Sequence, residues 1–279
     1  MSSKKIRKSQ ELTSKNRKFE MKLFYRTYGG GPKNMIIVHG LFGQSDNWTS
    51  FARSISSALP LKVFTLDLRN HGNSPHHPVF SMEALVDDLI NFIKDNEIEN
   101  PIVLGHSLGA KILMHMLDED ECPKIEKLIV VDMGMRTYPM RYTHVELLTA
   151  MKETPISDFT SRKQIEDYLA QIIKSERYLN FVLKNIQRNS DDTFSWKINL
   201  ESVDRHLEDI LGGVEYRSAK NLPVLFLKGE RSDYINEEDL EIIDKSFNNQ
   251  KVVTISGTGH WLHSENPVDM EKEIKAFIG

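Results

Sequence analysis

Pro101-Ile102-Val103-Leu104 runs directly into Gly105-His106-Ser107-Leu108-Gly109, and Ala110-Lys111-Ile112-Leu113-Met114 follows. The first four residues form a short apolar run, as in a parallel strand covered on both faces. The last five open an apolar helix. Between them the chain must turn sharply, and the serine at the corner takes a strained backbone conformation. Side chains two residues before and two after that corner would collide, which accounts for a glycine at both places. The pentapeptide fits G-x-S-x-G, the pattern that presents a nucleophilic serine on a strand-to-helix turn. Five residues alone can equally be a structural tight turn. The strand before and the helix after make Ser107 the candidate nucleophile.

Outward from this turn, the same alternation continues. Short apolar runs at 21–28, Met35–Val38, Val63–Leu66, Leu128–Val131, Val224–Leu227 and Val252–Ile255 read as further strands. Helical patterns lie near 47–59, 82–96, 108–117, 237–247 and 267–278. Ser81 reads as an N-cap, and Leu85, Leu89, Phe92 and Ile93 share one helical face. Alternation of this kind predicts an open, mostly parallel α/β sheet flanked by helices. It stops between 136 and 216, where Lys/Glu-rich helical patterns such as 166–174 and 178–185 show no convincing strand pair. Residues 20–135 and 217–279 therefore read as the core and 136–216 as a helical cap. Open α/β sheets bind ligands at the carboxyl ends of their strands, so an insertion there reads as a lid.

Composition narrows the function. Of 279 residues, 39% are hydrophobic and 27% charged, which fits a globular protein of one large domain or a core with one insertion. No run approaches the roughly 18–20 apolar residues of a membrane span. Cys122 is the single cysteine, so no internal disulfide can form. Residues 1–19 carry seven Lys/Arg and one acid, a net +6, leaving −10 on the rest of a chain whose total is −4. An acidic body makes a poor nucleic-acid surface. The basic, serine-containing stretch 1–19 reads either as a solvated tail or as a mitochondrial presequence, with the cytoplasm as the other location.

Two further stretches supply chemistry. Ile36-Ile37-Val38 leads into His39-Gly40-Leu41-Phe42-Gly43, a strand running into a glycine-bracketed loop. On its own this is an ordinary strand end. Beside a G-x-S-x-G turn, such a loop donates one amide to an oxyanion hole and the residue after the nucleophile donates the other. The candidate donors are thus the N–H groups of Leu41 and Leu108. After the last strand, Gly257-Thr258-Gly259-His260-Trp261-Leu262-His263 brings His260 forward on a Gly-x-Gly loop as the general base. His263 reads as a structural hydrogen-bonding residue, and His106 as one that packs or bonds locally. No histidine pair has metal-ligand spacing, so neither a metal nor any other cofactor is expected. The acid that orients the base stays open on spacing alone. Asp132 ends one strand, 25 residues after Ser107, and Asp233 follows another. Glu201 is a third candidate. Asp67, Arg69 and His71 read as a network bracing the oxyanion loop rather than as catalytic groups.

These blocks together resemble the α/β-hydrolase superfamily past residue 20. More narrowly, His39–Gly43, Asp67-Leu68-Arg69-Asn70-His71-Gly72-Asn73-Ser74 and Gly259-His260-Trp261-Leu262-His263-Ser264-Glu265-Asn266-Pro267 resemble the small-acyl esterases of bacteria and mitochondria, which include yeast ethanol acetyltransferases. In that group the acid belongs to the strand after the elbow helix, and the usual acid loop carries a serine. Asp132 and Ser232 match those places, so the resemblance favours Asp132. It implies a serine hydrolase acting on a small-molecule ester or thioester through an acyl-enzyme, with transfer to an alcohol such as ethanol as a further activity. A carbon–carbon bond hydrolase and a non-enzymatic ligand receptor are the rival readings on the same scaffold. The triad expected for either enzyme is Ser107, His260 and Asp132.

Overall fold

The computed structural model describes residues 21–139, 142–214 and 221–279. The basic stretch 1–19 lies outside them. Seven strands form one sheet: β1 (Tyr25–Gly29), β2 (Lys33–Val38), β3 (Leu61–Leu66), β4 (Ile102–His106), β5 (Lys127–Val131), β8 (Val224–Gly229) and β9 (Gln250–Ile255), in the order β1-β3-β2-β4-β5-β8-β9. Only β1 runs antiparallel to its neighbour. All the other pairs are parallel. The expected alternation of strands and helices is thus realised, with the first strand starting later than the apolar run at 21–28 suggested.

The reason the strands read as unbroken apolar runs lies in the two faces of the sheet. Ile36, Val38, Val103, Leu128 and Val130 join one buried cluster, while Met35, Ile37, Ile102, Leu104, Ile129 and Val131 join a second. Successive residues point to opposite faces, and here both faces are covered. Helices α1 (Thr49–Ala58) and α10 (Pro267–Ile278) cover the second cluster through Phe51, Ala52, Ile55, Met270 and Ile274. Helices α2 (Met82–Asp95) and α3 (Leu108–Met116) cover the first. Ser81 caps α2 as expected, its hydroxyl accepting from Ala84 N–H at 3.3 Å.

Between β5 and β8 the chain departs from the sheet. It forms α4 (Tyr142–Glu153), α5 (Arg162–Ile172), α6 (Glu176–Leu183) and α7 (Leu200–Leu211). The absence of a strand pair expected here is corrected: β6 (Ile186–Arg188) and β7 (Phe194–Trp196) make a small antiparallel hairpin. Three-residue strands are too short to show an alternating pattern. Their loop is closed by polar bonds instead, with Asn189 N–H donating to Thr193 O at 2.8 Å and Asn189 Nδ2 to Thr193 Oγ1 at 2.9 Å. The sheet resumes with α8 (Glu237–Ser246) after β8, and the short helix α9 (Leu262–Glu265) precedes α10. Among the described residues no helix is long and apolar enough to cross a membrane.

Candidate active site

The parallel strands deliver Ser107, Asp132 and the loop carrying His260 to one edge of the sheet. Ser107 directly follows β4 and caps α3 at φ 52°, ψ −119°, a positive-φ conformation few non-glycine residues adopt. Its N–H is held by Val131 O at 3.1 Å. A Cβ at Gly105 would strike the backbone of Ala110, and one at Gly109 the carbonyl of Val38. The two glycines are thus needed for close approach, as the sequence implied. Asp132 ends the neighbouring strand, also at positive φ, 52°.

Asp132 is fully buried and accepts three hydrogen bonds. Gly229 N–H reaches Oδ1 at 2.9 Å, while Ser232 Oγ at 2.5 Å and His260 Nδ1 at 2.7 Å reach Oδ2. A carboxylate only accepts, so Nδ1 of His260 carries the proton and Nε2 is the free, basic nitrogen. Asp233 is exposed on the cavity rim, and its carbonyl accepts from Arg136 Nη2 at 3.1 Å. Glu201 lies on α7, exposed, 3.6 Å from Lys152. Of the three acids considered, the structure brings Asp132 onto His260.

The His260 loop is pinned from several sides. The carbonyl of His260 accepts from His106 Nε2 at 2.8 Å, so His106 ties the elbow to a loop distant in sequence rather than bonding locally. Tyr234 stacks on the His260 ring at 3.8 Å and 14°. Glu265 accepts from Gly259 N–H at 2.8 Å and pairs with Arg177 at 2.7 Å. His263 departs from expectation. Its ring stacks on Trp48 at 4.4 Å, and its buried Nδ1 has no hydrogen-bond partner. Burial and the nearby His260 push its pKa down to about 3.

The oxyanion loop is braced by the block 67–74. Gly43 N–H closes a turn onto Gly40 O at 2.9 Å, with Phe42 at φ 60°. Phe42 N–H then donates to His71 Nε2 at 3.2 Å, leaving Leu41 N–H as the candidate donor in that turn. His71 Nδ1 donates to Arg69 O at 3.0 Å. His39 is built the same way: Leu68 N–H reaches its Nε2 at 3.0 Å and its Nδ1 donates to Gly40 O at 2.7 Å. Each ring accepts at one nitrogen and donates at the other, so both are neutral struts. Burial lowers the pKa of both, His71 to about 3. Asp67 accepts from Ser45 N–H at 2.5 Å and Asn73 N–H at 2.8 Å, and Arg69 pairs with Asp88 at 2.5 Å. On the other side, Leu108 is the first residue of α3, and the first amides of a helix have no acceptor within it.

Ser107, Leu41, His260, Trp261 and Tyr234 line a cavity of about 210 Å³, which α4 and α6 close with His144, Leu147, Tyr178 and Phe181. A second, mostly apolar recess of about 20 Å³ opens beside Ser107, Leu41 and Leu108 and is also lined by Lys111, Ile210 and Leu211. Among the described residues no group of three His, Cys, Asp or Glu side chains is placed to hold a metal ion. Sequence reasoning missed Tyr234 and Lys111, which no pattern marks. For Glu265 the signal is the short spacing from Gly259, that of a loop closing on itself.

Residues 33–267 match the family described as the alpha/beta hydrolase fold. The sn-1-specific diacylglycerol lipase ABHD11 of Danio rerio is 35% identical over 254 residues, covering 89% of this chain and 79% of the relative. A probable alcohol acetyltransferase of Saccharomyces cerevisiae is 29% identical over 265 residues, 88% of this chain and 76% of the relative. Among solved structures, a marine microorganism esterase superimposes with a TM-score of 0.87 at 36% identity, over 92% of this chain and 99% of the other.

Proposed function

The chain belongs to the α/β-hydrolase fold family, and from that premise we propose that it is a serine esterase of short acyl groups, working through an acyl-enzyme on Ser107. The observation that carries this reading is the Asp132–His260 hydrogen bond of 2.7 Å on the wall of the cavity that also holds Ser107. A likeness to named lipases and esterases supports the hydrolase class.

In the first half-reaction Ser107 Oγ bonds to the ester carbonyl carbon while His260 Nε2 takes the serine proton. Asp132 keeps the ring oriented and stabilises the imidazolium that forms. The carbonyl oxygen becomes an oxyanion between the amides of Leu41 and Leu108, each such donor contributing about 3–4 kcal/mol to the transition state. The bond to the leaving oxygen (sulfur, in a thioester) then breaks, and His260 returns the proton to the leaving group. Water repeats the sequence on the acyl-enzyme and releases the acid. The insertion 136–216 acts as a cap that closes the cavity and excludes bulk water. Transfer of the acyl group to an alcohol in place of water is supported by the likeness to the yeast protein.

The test is a screen of the purified protein on short-chain esters and acyl thioesters, with and without ethanol, separating acid from ester products. Acid release from acetate esters is expected, lost in Ser107→Ala together with labelling by a fluorophosphonate. Labelling that survives the substitution removes Ser107 from the nucleophile's role. Ester formation with ethanol marks the transferase activity, and its absence restricts the protein to hydrolysis.

A further inference from the structure

Lys111 is the buried cation that the mechanism above does not use. It lies one helical turn beyond Ser107 on α3, so the two side chains share a helix face. Its side chain is 1% exposed. Nζ donates to Ile210 O at 3.0 Å and also to Gly212 O. Ile210 O belongs to the last turn of α7 and Gly212 O to its C-cap, the end of a helix where carbonyls lack internal partners and a positive charge is favoured. Both bonds cross from the core to the insertion, about a hundred residues away in sequence. Burial pushes the ammonium's pKa down to about 8, so the carbonyls and the Tyr138 ring at 5.6 Å are its compensation.

Ile210, whose carbonyl Lys111 holds, belongs to the wall of the recess beside the nucleophile. Ile210, Leu211 and Lys111 itself line this recess of about 20 Å³ together with Ser107, Leu41 and Leu108, room for roughly one water-sized group. The recess borders both Ser107 and the two candidate oxyanion donors, which makes it the place for the acyl chain of a short ester. The recess then admits a methyl and little more. We propose that Lys111 is a positioning residue that sets acyl-chain length, by latching the C-terminal turn of α7 down as the end wall of this recess. The inference rests on the esterase reading and deepens it: the substrates are acetyl-sized esters because of the latch.

A lysine that merely stabilises the fold predicts a uniform loss across esters when it is removed. The latch predicts a change in their ratio. The experiment measures kcat and KM of the full chain on p-nitrophenyl acetate, butyrate and hexanoate, with thermal unfolding in parallel. In Lys111→Met the kcat/KM ratio of hexanoate to acetate is expected to rise about tenfold, the size a methylene or two commands in a fitted pocket. The rise comes through KM for the long ester, with kcat on acetate close to wild type. Ile210→Ala, which cuts the wall and leaves the latch, raises the same ratio. The double variant raises it by less than the product of the two, since both act on one wall. Lys111→Arg, which keeps a cation and its donors, restores the preference for acetate. Should Lys111→Met not fold, Lys111→Gln is read in its place. An unmoved ratio in a folded Lys111 variant, or equal losses on all three esters, overturns the latch. If the wild type turns over none of the esters, the esterase reading fails and takes the latch with it, whereas wild-type turnover with an unmoved ratio defeats the latch alone.

Discussion

The cavity has two walls made in different ways. The core wall carries Leu41, Ser107, His260 and, behind it, Asp132, and nearly every polar group there is fixed by another core group. Asp132 has three donors, His39 and His71 each bond at both nitrogens, and Asp67 ties two amides together. The insertion meets the cavity mostly with apolar and aromatic side chains. Tyr178 and Phe181 lie against Trp261 at 4.9 and 5.3 Å, and Leu147 completes the surface. Its polar ties to the core include Lys111 to α7, Asn185 Nδ2 to Phe42 O at 3.0 Å and Gln44 Nε2 to Lys184 O at 3.0 Å. On the proposed mechanism, developing charge demands donors held in advance, a demand that the fixed polar groups of the core suit. Shape selection tolerates adjustment, and the insertion supplies that. Damage to the core should therefore appear in kcat, and damage to the insertion in KM and selectivity.

The strongest way to break this division is at the acid. Asp132→Asn keeps the shape but loses the charge that holds His260 in its tautomer, and kcat on an aryl acetate is expected to fall on the order of 10⁴-fold. Asp233→Asn, changed at an exposed rim residue, should leave kcat within about threefold, the range of a surface change. If Asp233→Asn alone collapses the rate, the assignment of the acid is wrong and so is the account of the core wall.

A second, smaller effect is expected one step back from the chemistry. His71→Phe removes the acceptor for Phe42 N–H, leaving a buried amide unpaired and releasing the turn that aims Leu41. A fall of about 10²–10³ in kcat with little change in KM is expected, the cost of losing one oxyanion donor. A pure KM effect would show that this turn binds ground state and transition state alike.

These two predictions also mark what the sequence could and could not disclose. The elbow, the His39–Gly43 loop and the His260 loop were legible because each needs glycines at fixed offsets, a backbone demand written in residue identity. The choice of Asp132 over Asp233 was not legible from spacing, since both follow strands that end at the same edge. It depends on which strand lies next to β4 and on where Ser232 points its hydroxyl. The hairpin Ile186–Arg188 and Phe194–Trp196 was invisible because three-residue strands carry no period. The ring of His263 stacks on Trp48, which lies so far away in sequence that no local pattern shows the contact. Nothing in the helix pattern around Lys111 marks its burial, because its partners, Ile210 O and Gly212 O, lie about a hundred residues away in the insertion.

Acid sharpens the comparison from the side of stability. Burial lowers the pKa of His39, His71, His106 and His263, with His71 and His263 down at about 3. The unfolded chain takes up these protons near pH 6.5 and the folded chain does not. Stability present above pH 6.5 is therefore lost as pH falls toward 3, by about 1.4 kcal/mol per pH unit for each histidine kept neutral. His71→Gln has an amide oxygen able to accept from Phe42 N–H but cannot titrate. Denaturant unfolding measured from pH 7 to 4 should show its slope shallower than wild type by about one proton. An identical slope would mean that His71 opens and charges without unfolding, and that the core wall is looser than its bonds imply.

The smallest effect is expected where the two walls meet. Asn185 is buried in the insertion, just after α6, and reaches the carbonyl of Phe42 on the oxyanion turn. Asn185→Ala deletes that tie but leaves the His71 strut, so Leu41 keeps its aim. Loss of one buried hydrogen bond costs about 1 kcal/mol, and unfolding should register it. In steady-state kinetics a rise in KM of about threefold, with kcat within twofold, is what a kcal/mol-scale loosening of the insertion against the core allows. A fall in kcat approaching that of His71→Phe would reverse the assignment of roles. The insertion would then hold the oxyanion turn in place as firmly as the core does, and opening the cavity to admit substrate would disarm the site each time.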